Sequence, residues 1–195
     1  MKNKQQKVAL FGTSADPPTK GHKIILEELS EIYDLVISFA SNNPSKNHVE
    51  SLYFRSLLLK TLINDFNDAK ICFDQELSSP WAINSIRKCK EKYKVYELDF
   101  VIGSDLIQEI FLWKNINAIF QEVNFFIIPR EGYPINLTKL KAIKKSQGWY
   151  KISNLEVPQI SSSSIRRNLN YSHLPKSIVP IIKNNNLYDA IKMNK

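Results

Sequence analysis

Cysteine, glycine and long apolar runs are all scarce in this chain. Cys72 and Cys89 are the only cysteines. Two are too few for a disulfide framework or a cysteine-rich zinc site. Only Gly12 and Gly21 stand near the first strand-like segment. Neither a GxGxxG dinucleotide fingerprint nor a GxxxxGK[ST] phosphate loop can therefore be written there. A GxSxG nucleophile elbow is also missing, which excludes the serine-hydrolase pattern built on it. No stretch of 18 apolar residues occurs, so no transmembrane helix is expected. Internal repeats and low-complexity tracts are lacking too.

What is present is the material of one α/β domain. The 195 residues are 43% hydrophobic, enough for a sizeable core. The apolar run after Lys2, Lys4 and Lys7 is too short for a signal peptide, so the cytoplasm is the expected location. The net charge of +8 is unevenly spread. From Lys139 onward eleven Lys/Arg face only Glu156 and Asp189, whereas the first 138 residues hold 16 basic and 17 acidic side chains. Such a basic third can serve a polyanionic small molecule, a nucleic acid or a solvated face. These charges are scattered over helix-like segments with few interleaved aromatics, and no nucleic-acid partner is expected. No membrane partner is expected either, and the oligomeric state is left open.

The most informative segment, Val8–Leu26, reads VALFGTSADPPTKGHKIIL. A short apolar run ends at Gly12, a turn-rich loop follows, and Thr19-Lys20-Gly21-His22 opens an amphipathic helix. A strand, a tight loop and a helix start together present backbone N–H groups and a positive dipole end to a phosphate.

Beyond it, strand-like and helix-like runs alternate. Strands are expected at Val8–Phe11, Leu35–Ala40, Lys70–Phe73, Asp99–Ile102 and Val123–Ile128. Helical spacing marks Gly21–Glu31, Glu50–Asn64, Trp81–Tyr93, Leu106–Phe120 and a short stretch at Lys139–Lys145. This pattern predicts βαβ units in a Rossmann-like, doubly wound parallel sheet, with a small helical C-terminal part over about residues 160–195. Ligands then bind beyond the C-terminal strand ends, at the switch point of strand order. Gly12, Asn42, Gly103 and Arg130 all fall there.

Two further constellations follow. Ile160-Ser161-Ser162-Ser163-Ser164-Ile165-Arg166 puts hydroxyls and an arginine at a helix start, where they can cap or hold phosphate. Gly103-Ser104-Asp105 follows a strand, and Trp113 comes eight residues later. On a helix Trp113 stands ~12 Å along from Asp105. The carboxylate suits ribose hydroxyls and the indole suits an aromatic base.

These segments resemble the nucleotidylyltransferase superfamily, and within it the bacterial nicotinate mononucleotide adenylyltransferases. Thr19-Lys20-Gly21-His22 is similar to the (H/T)xGH signature, and Ile160–Arg166 to ISSTxIR, in the same order about 140 residues apart. Asp105 and Trp113 resemble the family's GxD…W element, and Pro129–Tyr133 its R-P-G-Y. Asn42–Lys46 stands where the family has a basic, proline-rich loop. Arg55, Glu76 and Asn186-Leu187-Tyr188 extend the likeness over nearly the whole chain. The departures are Thr19 for the usual histidine, Ser14-Ala15 for Thr/Ser-Phe, and Pro80-Trp81-Ala82 for Ser-Tyr-Thr.

The resemblance implies one nucleotidylyltransferase domain over 1–195 that moves AMP from ATP to nicotinate mononucleotide. Deamido-NAD and pyrophosphate result, and Mg²⁺ arrives with ATP. It implies His22, Thr19 and Arg166 as catalytic residues. Gly12, Thr13, Gly21, Lys46, Ser161, Ser162 and Ser163 would hold ATP and its phosphates. Trp81, Ala82, Asp105, Trp113 and Arg130 would hold the mononucleotide, and no protein metal ligand is expected. Nicotinamide mononucleotide, pantetheine phosphate, or a catalytically inactive nucleotide-binding homologue remain as alternatives.

Overall fold

The structure is a computed structural model that describes residues 6–155, 157, 161–168 and 170–189. Ile160 of the serine motif, Lys2, Lys4 and residues 190–195 lie outside the described residues.

Six parallel strands run in the order β3-β2-β1-β4-β5-β6. They are β1 (Val8–Thr13), β2 (Leu35–Ala40), β3 (Ile71–Phe73), β4 (Leu98–Gly103), β5 (Asn124–Ile128) and β6 (Trp149–Ile152). Both faces are covered, so the central strands are mainly apolar, and successive residues feed opposite cores. Ala9 and Phe11 join Leu26, Leu29, Leu58 and Leu62 on one side. Val8 and Leu10 join Ile83, Ile86, Ile119 and Leu140 on the other. Helices α1 (Lys20–Ile32) and α2 (Leu52–Asn64) thus lie on the first face. Helices α3 (Ala82–Tyr93), α4 (Ile116–Glu122) and α5 (Leu137–Lys145) lie on the second. The short helices α6 (Ser162–Asn168) and α7 (Val179–Asn184) return to the first face through Ile165, Ile178 and Ile182. The strand order reverses between β1 and β4, and this α/β, Rossmann-like sheet has its switch point there.

Two sequence expectations are corrected. The helix expected over Leu106–Phe120 is instead two 3₁₀ turns, Ser104–Gln108 and Ile110–Leu112, then extended Trp113 and α4. Ile107 and Ile110 are fully buried at a spacing of three, the side-chain period of a 3₁₀ turn, and Trp113 continues that spacing. Asn115, in the left-handed region at φ 57°, then starts α4. Second, β6 is a sixth strand beyond the five expected, and it carries no apolar run. It is an edge strand whose alternate residues, Trp149 and Lys151, face outward, so its pattern is half-exposed.

Among the described residues no helix is long and apolar enough to cross a membrane.

Candidate active site

The C-terminal end of β1 builds the centre of the site. Thr19 caps α1: its Oγ1 accepts from the Gly21 N–H at 3.1 Å. His22, at the third helical position, completes a reciprocal cap by accepting the Thr19 backbone N–H at Nδ1, 3.0 Å away. This is a capping box with histidine in place of the usual Glu or Gln. Because Nδ1 accepts, the neutral ring carries its proton on Nε2. Nε2 lies 2.9 Å from the Thr13 Oγ1 and donates to it. Burial, and then the charge of Arg130, push the His22 pKa down to about 4. His22 is therefore a neutral imidazole at pH 7 with a fixed tautomer, a hydrogen-bond donor rather than an acid.

The loop after β1 is tied to two other segments. Asp16, 2% exposed, accepts the Val49 and Glu50 N–H groups at 2.7 and 3.2 Å. Arg166 donates to the Asp16 carbonyl and stands 3.7 Å from its carboxylate. Its second terminal nitrogen donates to the Ser163 Oγ at 3.1 Å. Arg55, also 2% exposed, donates to the carbonyls of Ser14, Ser41 and Glu50 and so braces the loops after β1 and β2. Burial lowers its pKa, against the nearby Asp16 charge. His48 lies in the field of Arg55, Asp16, Lys46 and Arg166, and its buried Nε2 has no partner among the described residues. Burial and the neighbouring cations hold its pKa below the usual histidine value.

The β4 and β5 ends supply the third part. Arg130 pairs with the Asp105 Oδ2 at 3.1 Å, and the Asp105 Oδ1 is buried without a partner among the described residues. Gly103 makes this possible, since a Cβ there would sit 2.3 Å from Asp105 Oδ1 and 2.7 Å from Arg130 Cδ. Ser104, buried, accepts the Arg130 N–H at 2.9 Å and donates to the Tyr133 carbonyl at 2.8 Å.

Several expected phosphate groups have other partners here. Ser161 caps α6 by accepting the Ser164 N–H at 3.0 Å, and Ser162 donates to the Pro17 carbonyl at 2.8 Å. The Gly21 N–H is taken by Thr19. Gly12 answers a packing need, since a Cβ there would meet the Phe39 ring at 2.7 Å. Lys46 is exposed on the loop after β2. Trp113 packs edge-on against Phe100 and Phe125, with centroids 6.2 and 6.5 Å away, rather than projecting from a helix. Trp81 is 39% exposed, precedes α3 and provides no side-chain cap for it. The Lys114 ammonium lies 4.8 Å from the Trp81 ring centroid. Asp16, Ser104 and Lys114 were not singled out from the sequence. Asp16 stood in the quoted loop, but nothing local announces that a carboxylate will bridge three segments.

The cytidylyltransferase-like family profile matches residues 10–168. A Synechocystis sp. protein named "probable nicotinate-nucleotide adenylyltransferase" is 33% identical over 93% of this chain and 98% of its own length. The chain belongs to that family. A Campylobacter jejuni protein of the same name is 31% identical over 96% of this chain and 99% of its own length. The fold is shared with the Plasmodium falciparum nicotinic acid mononucleotide adenylyltransferase complexed with NaAD. That match has a TM-score of 0.78 at 24% identity, over 95% of this chain and 98% of the other. Arg166, distant in sequence, is tied through Asp16 to the loop that leads into Thr19 and His22.

Proposed function

We propose that this protein transfers the adenylyl group of ATP to nicotinate mononucleotide, giving deamido-NAD and pyrophosphate. The observation that carries the reading is His22, kept neutral by burial and Arg130 and held in one tautomer at the switch point by Thr19 and Thr13. The relatives that share its family carry the name of this activity.

In this reaction a phosphate oxygen of the mononucleotide attacks the α-phosphorus, and pyrophosphate leaves in line. Positioning and charge stabilisation do the catalytic work, and no protein nucleophile is needed. His22 and its Thr13 partner polarise the α-phosphate. A neutral donor suits this role, because it strengthens as charge builds without giving up a proton. Arg166, aimed by Asp16 and Ser163, grips triphosphate oxygens, with Lys46 and the hydroxyl of Ser163 in support. On the other side, the free Asp105 Oδ1 accepts a ribose hydroxyl while Arg130 meets the mononucleotide phosphate. Trp113, half-buried, stacks on the pyridine ring. The first N–H groups of α3, at Ala82 and Ile83, meet the nicotinate carboxylate, and Lys114 beside Trp81 adds positive charge there.

Mg²⁺ would come with ATP and would supply neutralisation of the phosphate charge, while Arg166 and Lys46 are the protein groups that would share that task. Among the described residues no group of three His, Cys, Asp or Glu side chains is placed to take it from the phosphates. The expected setting is the cytoplasm.

The test is pyrophosphate release from Mg-ATP with nicotinate mononucleotide, nicotinamide mononucleotide or pantetheine phosphate. Release is expected to be fastest with nicotinate mononucleotide. Release only with pantetheine phosphate, or with no acceptor at all, would refute the assignment.

A further inference from the structure

The Asn186-Leu187-Tyr188 turn comes late in the chain and packs beside the loop after β1. Asn186 and Tyr188 both stand in the left-handed region, at φ 51° and 68°. Asparagine accepts that conformation readily, but a bulky tyrosine does so only where its surroundings hold it. Here the Tyr188 N–H donates to the Glu50 Oε1 at 2.9 Å. Glu50 in turn donates its N–H to the Asp16 Oδ1 at 3.2 Å, and its carbonyl accepts from the Arg55 Nε at 3.2 Å. One residue therefore fixes Tyr188 to the loop that carries Asp16. Tyr188 is 2% exposed, and its hydroxyl is buried with no hydrogen-bond partner among the described residues. Burial, and then the charge of Asp16, push the phenol pKa up, while Arg166 acts against them. The hydroxyl thus keeps its proton, close enough to the Asp16 carboxylate to feel its charge but outside hydrogen-bond geometry. A buried O–H without an acceptor is costly, and native structures keep few of them.

Asp16 supplies the missing acceptor. Its carboxylate is buried too, and the Val49 and Glu50 N–H groups take two of its lone-pair positions, out of about four. Its charge is balanced by Arg166, 3.7 Å away. Arg55 is committed to three carbonyls. On the adenylyltransferase reading, on which this inference rests, the ATP phosphates compete for the Arg166 charge. The guanidinium can keep its bond to the Asp16 carbonyl while its charge turns to phosphate. The buried carboxylate is then undercompensated, which is unfavourable unless another donor arrives. We propose that Tyr188 is a positioning residue for ATP binding, its hydroxyl closing onto the Asp16 carboxylate as Arg166 engages the triphosphate. The hydrogen bond missing from the free protein is made in the ATP-bound one, so it favours the bound state. No proton moves, and Tyr188 acts through Asp16 and Arg166 without touching either substrate.

The test is Tyr188→Phe, which removes only the hydroxyl, in the wild-type and Arg166→Ala backgrounds. In the wild-type background the free protein is expected to melt no lower than wild type, because a bond not made is not lost. Its KM for ATP is nevertheless expected to rise about tenfold, the scale of one hydrogen bond to a charged group, with kcat and the KM for the mononucleotide within about twofold. In the Arg166→Ala background Asp16 has already lost its cation, and the hydroxyl is bonded with or without ATP. There Tyr188→Phe is expected to lower the melting temperature by ~4 °C and to leave the KM for ATP unchanged. Failure of the double variant to fold, where both single variants fold, counts the same way. Arg166→Gln serves if the alanine variant does not fold. A purely packing role gives the same melting shift in both backgrounds, and that result overturns the proposal. An unchanged KM for ATP in Tyr188→Phe overturns it as well. If the wild-type protein releases no pyrophosphate with any acceptor, it is the adenylyltransferase reading that fails. Tyr188 is then judged by calorimetric binding of α,β-methylene-ATP beside the two sets of melts. About tenfold weaker binding in Tyr188→Phe, with the melting shift confined to the Arg166→Ala background, supports the exchange of partners, and equal affinities overturn it.

Discussion

Thr19 and His22 hold each other at the start of α1. The Thr19 backbone N–H donates to His22 Nδ1 at 3.0 Å, and the Thr19 hydroxyl oxygen lies 3.0 Å from the same nitrogen while accepting the Gly21 N–H. Threonine here does two jobs that need no imidazole: it caps the helix and fixes the tautomer of its neighbour. Replacement of the histidine more usual at position 19 therefore leaves the His22 donor intact. His22→Ala is expected to lower turnover by ~10²-fold or more, the loss typical of one preorganised transition-state donor. Steady-state pyrophosphate release checks this, and near-normal turnover in a folded variant removes His22 from the mechanism.

The second prediction concerns protons. The folded His22 pKa is about 4, against an ordinary 6.5, because of burial and Arg130. The unfolded chain therefore binds more protons than the native one below about pH 6.5, and stability contributed by neutral His22 falls as pH drops from about 6.5 towards 4. Titration of the His22 ring carbon by NMR is expected to give a midpoint near 4. His22→Asn is expected to flatten the fall in melting temperature over that interval. A midpoint at 6.5 contradicts the buried, Arg130-facing environment.

Arg166 tests the triphosphate side. Its guanidinium is aimed by the Asp16 carbonyl and Ser163 rather than by a free helix start. Arg166→Ala is expected to raise the KM for ATP at least tenfold while leaving mononucleotide affinity within about twofold, on the scale of a lost charge-assisted pair. Arg166→Lys is expected to recover only part, since a point charge cannot reach both partners at once. A collapse of mononucleotide binding with unchanged ATP kinetics would place Arg166 on the wrong substrate.

The sheet was legible because buried parallel strands must be short apolar runs, and β1, β2, β4 and β5 are such runs within a residue or two. The edge strand β6 was not, since exposure of Trp149 and Lys151 interrupts the run. In the site, Thr19 and His22 were readable from one contiguous segment. Asp16 and Lys114 were not, because their partners come from the β2 loop, α6 and the N-terminal side of α3. Local pattern left Ser161 and Ser162 open between two roles. Their hydroxyls suit phosphate and capping alike, and only the fold shows Ser161 capping α6 and Ser162 docked on Pro17.

On the proposed function, Trp113 combines core packing with a stack on the pyridine ring. It packs edge-on against Phe100 and Phe125. Trp113→Ala is therefore expected both to lower the melting temperature and to weaken nicotinate mononucleotide binding by about 1–2 kcal/mol, the scale of one aromatic stack. Trp113→Phe keeps most of the core contact and is expected to retain stability while still binding more weakly than wild type. Calorimetry beside thermal melts separates the two. Unchanged mononucleotide affinity in a folded Trp113→Ala protein removes the indole from the pyridine site.

The last prediction concerns the choice between acid and amide rings. Pro80-Trp81-Ala82 departs from the Ser-Tyr-Thr of the resembling family, which removes one hydroxyl from the carboxylate site. Main-chain donors survive side-chain change, and the first N–H groups of α3 remain without a side-chain cap. Lys114, 4.8 Å from the Trp81 ring centroid, brings a cation to the same place. A carboxylate gains from that charge and a neutral carboxamide does not, so Lys114 acts on the difference between substrates. Wild-type protein is expected to favour nicotinate over nicotinamide mononucleotide in kcat/KM. Lys114→Gln is expected to cut that ratio roughly five- to tenfold, an effect of about 1 kcal/mol for a charge at a solvent-facing site. The loss should fall on the nicotinate substrate, with nicotinamide mononucleotide kinetics little changed, and it should shrink at high salt as the charge is screened. A Lys114→Gln ratio equal to wild type means that the α3 N–H groups alone discriminate. A wild-type ratio at or below one overturns the preference for nicotinate and leaves adenylyl transfer to a pyridine mononucleotide standing.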